Sequence, residues 1–209
     1  MHYILRRVFF CFLSLALVAG TIACGWVQGM RRDISASVLR LHIVANSDSG
    51  FDQTVKLQVR DRILADCGFL FAGSPSAAES AARAREYAGV IRQTAQAELR
   101  RQGFLYPVSV QVGDCRFPTK DYGGVRLPAG CYTAVNIKIG AAAGHNWWCV
   151  MYPPLCLTGG AVKADEATLG LLQKELTPEE YALVTETEEV NVKTVSYTHL
   201  RAHETLRHL

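Results

Sequence analysis

The sequence predicts an α+β fold: one mixed-sheet domain, with a long alanine-rich helix packed on the sheet and an apolar segment ahead of it. Three observations carry this. Residues 38–45 alternate apolar and polar side chains, as a strand with one buried face does. Residues 76–103 are rich in alanine at helical spacing. Short runs such as "WWCVMY", bounded by glycine and proline, follow as further strands.

The elements can be justified in chain order. "VFFCFLSLALVAGTIACGWV", Val8 to Val27, carries no charge and is roughly 20 residues long, enough to cross a bilayer as a helix. Arg6 and Arg7 precede it, so the N-terminus is expected in the cytoplasm and the remainder outside. Small residues at Thr21 and Ala23, or at Ala23 and Gly25, suit a signal peptidase; the run is also long enough to stay as an anchor. Arg31 and Arg32 stand on its far side.

From Val38 to Ala45, Leu39, Leu41, Ile43 and Ala45 form the apolar set. Phe51, Val55, Val59 and Ile63 then recur at helical spacing, with Gly68 as the stop. Ser76 and Glu79 form a capping box ahead of the alanine-rich helix, whose one face holds Ala81, Ala84, Ala88, Ile91, Ala95 and Leu99. Val108, Val110 and Val112 mark a second strand. "GDCRFPTKDYGGVRLPAG" reads as an irregular, turn-rich stretch, and Thr133 to Ile139 as a third strand. "WWCVMY" is a fourth strand, ended by Pro153 and Pro154. Lys163 to Leu176 is helical. Thr177, Pro178 and Glu180 open another short helix with a second capping box, and Val190, Val192 and Thr194 suggest a last strand. The expected division is a signal peptide or anchor over 1–30, an α+β domain over 36–195 and a tail over 196–209. That tail is polar, holds His199, His203 and His208, lacks the preceding periodicity and resembles foreign adapter sequence.

Composition narrows the function. The net charge is +3; without the first thirty residues, which include Arg6 and Arg7, it falls by two to +1. Nucleic-acid binding, which rests on a clustered basic face, is not expected. Of the seven cysteines, Cys11 and Cys24 lie in the apolar run. The other five contain no CxxC, so neither a zinc ribbon nor a thioredoxin motif is present. No metal site and no cofactor are expected.

The loop after the first strand asks the sharpest question. Ser49 to Asp52 matches a capping box, in which the serine oxygen accepts a backbone N–H and the carboxylate returns a bond. Asn46, Asp48, Asp52 and Gln53 are more polar groups than one cap needs. They are the first candidates for contact with a partner, since neither EF-hand nor P-loop spacing is present. Trp147 and Trp148 face opposite sides of a strand, so one can anchor a partner, or both can be partly buried. Catalysis has one foothold, His145 with Cys149, yet on an extended strand the two lie roughly 13 Å apart. Cys149 is better placed to form a disulfide with Cys156 beyond the Pro153-Pro154 turn. Cys115 with Cys131 is a second, weaker pair. No residue is assigned a catalytic role.

"LRLHIVANSDSGFDQTVKLQVRD", "FPTKDYGGVRLPAGCYTAV" and "GHNWWCVMYPPLC" together resemble the stage II sporulation protein R family of endospore-forming Firmicutes. Cys131 departs from the pattern, where a charged residue is expected. The resemblance implies a secreted signal in sporulation and not an enzyme. Members are made in the forespore and exported into the space between forespore and mother-cell membranes. There they activate a membrane-embedded aspartic protease, a protease activation that leads to processing of the early mother-cell sigma factor. The competing expectation is an exported Cys/His hydrolase of peptide or cell-wall material acting through His145 and Cys149.

Overall fold

The computed structural model describes residues 2–71, 73–155 and 166–185. Its sheet is mixed, four strands in the order β2 (Val108–Phe117), β5 (Gly130–Ile139), β1 (Leu39–Val44), β6 (Asn146–Tyr152). β1 runs parallel to β5, and the other two pairings are antiparallel. The α+β class and the mixed sheet therefore stand.

One face of the sheet is covered by helices. α2 (Gly50–Cys67), α3 (Ala77–Glu86) and α4 (Ala88–Arg101) set Val59, Ile63, Ala84, Ile91 and Leu99 against Leu39, Leu41 and Ile43, all completely buried or nearly so. The single alanine-rich helix expected from sequence is two helices. Tyr87 leaves helical geometry at φ −96° and ψ 13°, just before Gly89, a poor helix former, and the bend lets each half lie on the sheet separately. Alanine along both halves permits close approach.

The other face carries a second apolar layer, and here the one-sided strand expected from residues 38–45 is corrected. Arg40 points away from Leu39 and Leu41 but is fully buried. It is enclosed by aromatic side chains from the stretch read as irregular. In fact Gly113–Phe117 continue β2, and β3 (Lys120–Tyr122) pairs with β4 (Val125–Leu127) as a hairpin turning at Gly123 and Gly124. Both glycines have positive φ, 65° and 99°, which a two-residue hairpin turn demands. α5 (Glu166–Glu175) and α6 (Pro178–Thr185) complete this side. At the start of α6, Thr177 N donates to Glu180 Oε2 at 2.9 Å and Glu180 N to Thr177 Oγ1 at 3.3 Å, a reciprocal capping box.

The leading helix, α1, runs unbroken from His2 to Ala36. From Val8 to Gln28 it is exposed, while Ile34 is completely buried among Val38, Phe117 and Tyr132. Its apolar stretch is long enough to cross a membrane. The strand expected at 190–194 and the tail over 196–209 lie outside the described residues.

Candidate functional site

The loop after β1 is fastened to two others at the end of the sheet where β1 and β5 finish. Asn46 Nδ2 donates to Asp52 Oδ2 at 2.8 Å and Ser47 Oγ to the same oxygen at 2.5 Å. Asn46 Oδ1 accepts from Ala141 N at 2.9 Å. Backbone bonds join Ala143 N to Asn46 O and Gly144 N to Ala45 O, at 3.1 and 3.0 Å. Asp48 Oδ1 accepts from His145 N at 2.6 Å and also meets His145 Nδ1. The loop at 102–107 joins through Gly140 N to Pro107 O, at 2.9 Å.

This packing explains two glycines. A Cβ at Gly140, where φ is +58°, would collide with the Asn46 amide, and one at Gly144 would collide with the Ser47 carbonyl. Glycine is the residue that permits such backbone approach.

Only half of the expected capping box forms at α2. Asp52 N donates to Ser49 Oγ at 3.2 Å, but the Asp52 carboxylate is turned to Asn46 and Ser47 instead of Ser49 N, which donates to Ser47 Oγ. Asp52 is consequently buried, 3% exposed, while Phe51, expected in the buried stripe, is 79% exposed. Burial works to raise the Asp52 pKa, but the hydrogen bonds of Ser47 and Asn46, helped by the hydroxyls of Tyr106 and Ser49, outweigh it and hold the carboxyl below its ordinary value. Beside it, Lys56 is also buried. Its Nζ donates to Gln53 Oε1 at 2.5 Å and to His145 O at 3.0 Å; burial lowers its pKa and Asp48 works against that. Gln53 Nε2 donates to Ser47 O at 2.9 Å. The structure thus brings Asn46, Asp48, Asp52 and Gln53 together, and it spends most of their polar groups on one another and on the neighbouring loops. Asp48, its side chain 55% exposed, is the most open of the four.

Both tryptophans are partly buried, on opposite faces. Trp147 packs on the helical side with the Arg60 guanidinium 4.3 Å from a ring centroid. Trp148 stacks on His42, with centroids 4.1 Å apart and planes 4° apart. Below this stack Arg40 lies 4.0 Å from the Phe117 ring centroid and 4.7 Å from that of Tyr132. Its Nη2 donates to the Tyr122 hydroxyl, while Nη1 is buried without a hydrogen-bond partner. Burial lowers the Arg40 pKa, with the two tyrosines acting the other way.

The hydrolase expectation meets this geometry poorly. Cys149 is 4% exposed and disulfide-bonded, so no thiolate is offered to His145, whose imidazole faces Asp48. Cys156, the expected partner of Cys149, lies outside the described residues. Cys115 and Cys131 are both free; opposite Tyr132 and Arg116 respectively, they leave opposite faces of the sheet, so the second pair does not form. A juxtaposition that sequence spacing could not indicate is Cys115 Sγ at 3.5 Å from His42 Nδ1, with His42 Nε2 at 2.8 Å from Asn146 Oδ1. Burial, then the neighbouring Cys131, push the Cys115 thiol up, which favours a protonated thiol and not a nucleophile. Among the described residues no group of His, Cys, Asp and Glu is arranged to hold a metal.

The comparisons agree with the motifs. Stage II sporulation protein R of Bacillus subtilis (strain 168) is 36% identical over 137 residues, which make up 64% of this chain and 61% of that protein. The match therefore spans less than two thirds of the relative's length. No solved structure matches the chain. The family model described as stage II sporulation protein R matches residues 35–161, which include β1, the fastened loops, the Arg40 cluster and β6, and by that match the chain belongs to the stage II sporulation protein R family.

Proposed function

We propose that this chain is an exported sporulation signal, a ligand without turnover of its own. Its partner is a membrane-embedded aspartic protease in the mother-cell membrane. It acts from the space between forespore and mother-cell membranes, and the consequence is cleavage of the pro-sequence of the early mother-cell sigma factor. The observation that carries the reading is α1: an exposed apolar helix behind Arg6 and Arg7, joined directly to a body whose family is a sporulation family. Such a helix fits export, either as a signal peptide or as an anchor.

A ligand activates a membrane protease by binding its active arrangement better than its inactive one. The proposed organisation is a leading segment over 1–30, a signalling domain over 36–195 and a foreign tail over 196–209. The proposed disulfide joins Cys149 to Cys156. Contact is proposed through the loop of Asn46, Asp48, Asp52 and Gln53, with Trp147 and Trp148 as further candidates. Neither nucleic acid nor a small-molecule cofactor takes part.

The test is reconstitution of the full chain with the protease and its pro-sigma substrate. Cleavage that depends on the chain supports the reading. Cleavage at the same rate without it refutes it.

A further inference from the structure

The sheet has two poles, and α1 enters at one of them. Met30 and Ile34 pack with Val38, Phe117 and Tyr132 at the start of β1, and Ser37 Oγ donates to Glu175 O at 3.3 Å. β1 then runs six residues away from α1, about 20 Å at strand rise. The pole it reaches is built from residues 45–51, 102–107 and 140–146, the three segments fastened to one another.

That pole displays two large apolar side chains. Phe51 is 79% exposed and Leu105 87%. Both stand at this pole: Phe51 lies in the first turn of α2, directly after the loop of residues 45–49, and Leu105 lies two residues before Pro107, whose carbonyl accepts from Gly140 N. Single exposed apolar residues are ordinary. A pair held on cross-linked loops is different, because the support is already ordered and little further entropy is lost when a partner docks.

The charge of the pole selects the partner. Its three segments contain no Lys or Arg, whereas the Asp48 side chain is 55% exposed, with Oδ1 engaged by His145. Anionic lipid surfaces are recognised by clusters of Lys and Arg, so this surface is wrong for a membrane. It suits a polypeptide that offers apolar side chains beside a Lys or Arg.

We infer that the pole opposite α1 is the docking surface for such a polypeptide, with Phe51 and Leu105 as its apolar anchors and Asp48 as its charge. Resting on the reading above, that polypeptide is the extracytoplasmic part of the membrane protease. Within the loop proposed above as the contact region, Asp48 then meets the partner directly, while Asn46, Asp52 and Gln53 hold that loop in place.

The experiment places the photo-cross-linking residue p-benzoylphenylalanine at Leu105 and, as a control, at Phe69, which is 68% exposed beyond the far end of α2. The full chain in nanodiscs is irradiated with liposomes carrying the protease and with protein-free liposomes of the same phosphatidylethanolamine and phosphatidylglycerol. In parallel, Phe51→Ser, Leu105→Ser and Phe69→Ser are titrated for pro-sigma cleavage. The expected result is an adduct with the protease from position 105 and not from 69. Phe51→Ser and Leu105→Ser should each need about tenfold more chain for half-maximal cleavage, the equivalent of ~1.4 kcal/mol, while Phe69→Ser matches the parent. No protease adduct from position 105, an adduct with lipid alone, or parental potency in both serine variants overturns the inference. An adduct from position 105 without cleavage by the parent chain sustains the docking surface and refutes the activation reading instead.

Discussion

Removing the Asp52 carboxylate separates a helix cap from a tertiary fastening. If Asp52 mattered only through the cap of α2, substitution by alanine would cost about 0.5–2 kcal/mol. The cap bond seen here is made by its backbone, however: Asp52 N to Ser49 Oγ survives the change. What is lost is a buried anion that accepts from Asn46 Nδ2 and Ser47 Oγ, and hydrogen bonds to a charged group contribute roughly 1.5–3 kcal/mol each. Two such bonds, less the cost of burying the carboxylate, place Asp52→Ala at about 3 kcal/mol. Ser49→Ala, which removes the cap alone, should cost about 1 kcal/mol. Urea unfolding of the full chain in mild detergent, followed by tryptophan fluorescence, measures both. The pH dependence adds an independent check. The folded pKa of Asp52 is depressed, so its stabilisation is present above the ordinary carboxylate value of about 3.9 and is lost as pH falls through the folded value. The gap between parent and Asp52→Ala should therefore narrow below about pH 4. Equal penalties for the two variants, or a gap that does not change with pH, would refute the fastening.

Three further outcomes are expected. Gly144→Ala forces a methyl against the Ser47 carbonyl and should lower stability by about 1–3 kcal/mol, as overpacking does, with amide exchange accelerated in residues 140–146. Arg40→Met keeps volume and removes a buried cation without a carboxylate, so its urea midpoint should stay within about 1.5 kcal/mol of the parent, whereas Arg40→Ala, which opens a cavity, should cost about 3–5 kcal/mol. Maleimide labelling of the folded, unreduced chain should modify exposed Cys131 readily, buried Cys67 slowly and disulfide-bonded Cys149 not at all; rapid native labelling at Cys149 would contradict its bonded state.

What the sequence could and could not reveal follows from the range of the forces involved. The alternation of Leu39, Leu41 and Ile43 and the Thr177–Glu180 box are local patterns, and both are present. Arg40 was illegible, because its burial depends on Tyr122, 82 residues away, and on a hairpin hidden in a stretch without strand periodicity. Phe51 and Asp52 exchanged their expected places for a similar reason. Periodicity counts apolar side chains, but the orientation at the start of α2 is set by acceptor geometry. Ser47 and Asn46 converge on a carboxylate, and once that carboxylate is turned inward its neighbour Phe51 must turn out. The crowding of Asn46, Asp48, Asp52 and Gln53 in the sequence corresponds to a loop that brings the four together. Sequence could not say that these groups mostly face one another, since Ala141, Gly144 and His145 come from about ninety residues further on.

The path of α1 bears on how such a domain can signal. Only Ser37 and Val38 separate the helix from β1, and Ile34, inside the helix, belongs to the core. A flexible linker would let the domain turn freely relative to a membrane; here the helix and the sheet are joined by packing, so an anchored domain has a fixed outward pole. The small residues at Thr21, Ala23 and Gly25 lie about three turns before Ile34 on this helix. Cleavage there would release the membrane run and still leave Met30, Ile34 and Ser37 in place against Phe117, Tyr132 and Glu175. Those contacts are common to either fate of the segment, and what differs between the two is presentation. On the proposed reading, a retained α1 would hold the Phe51–Leu105 pole toward whatever faces the membrane, and a released domain would bring the same pole to its partner by diffusion.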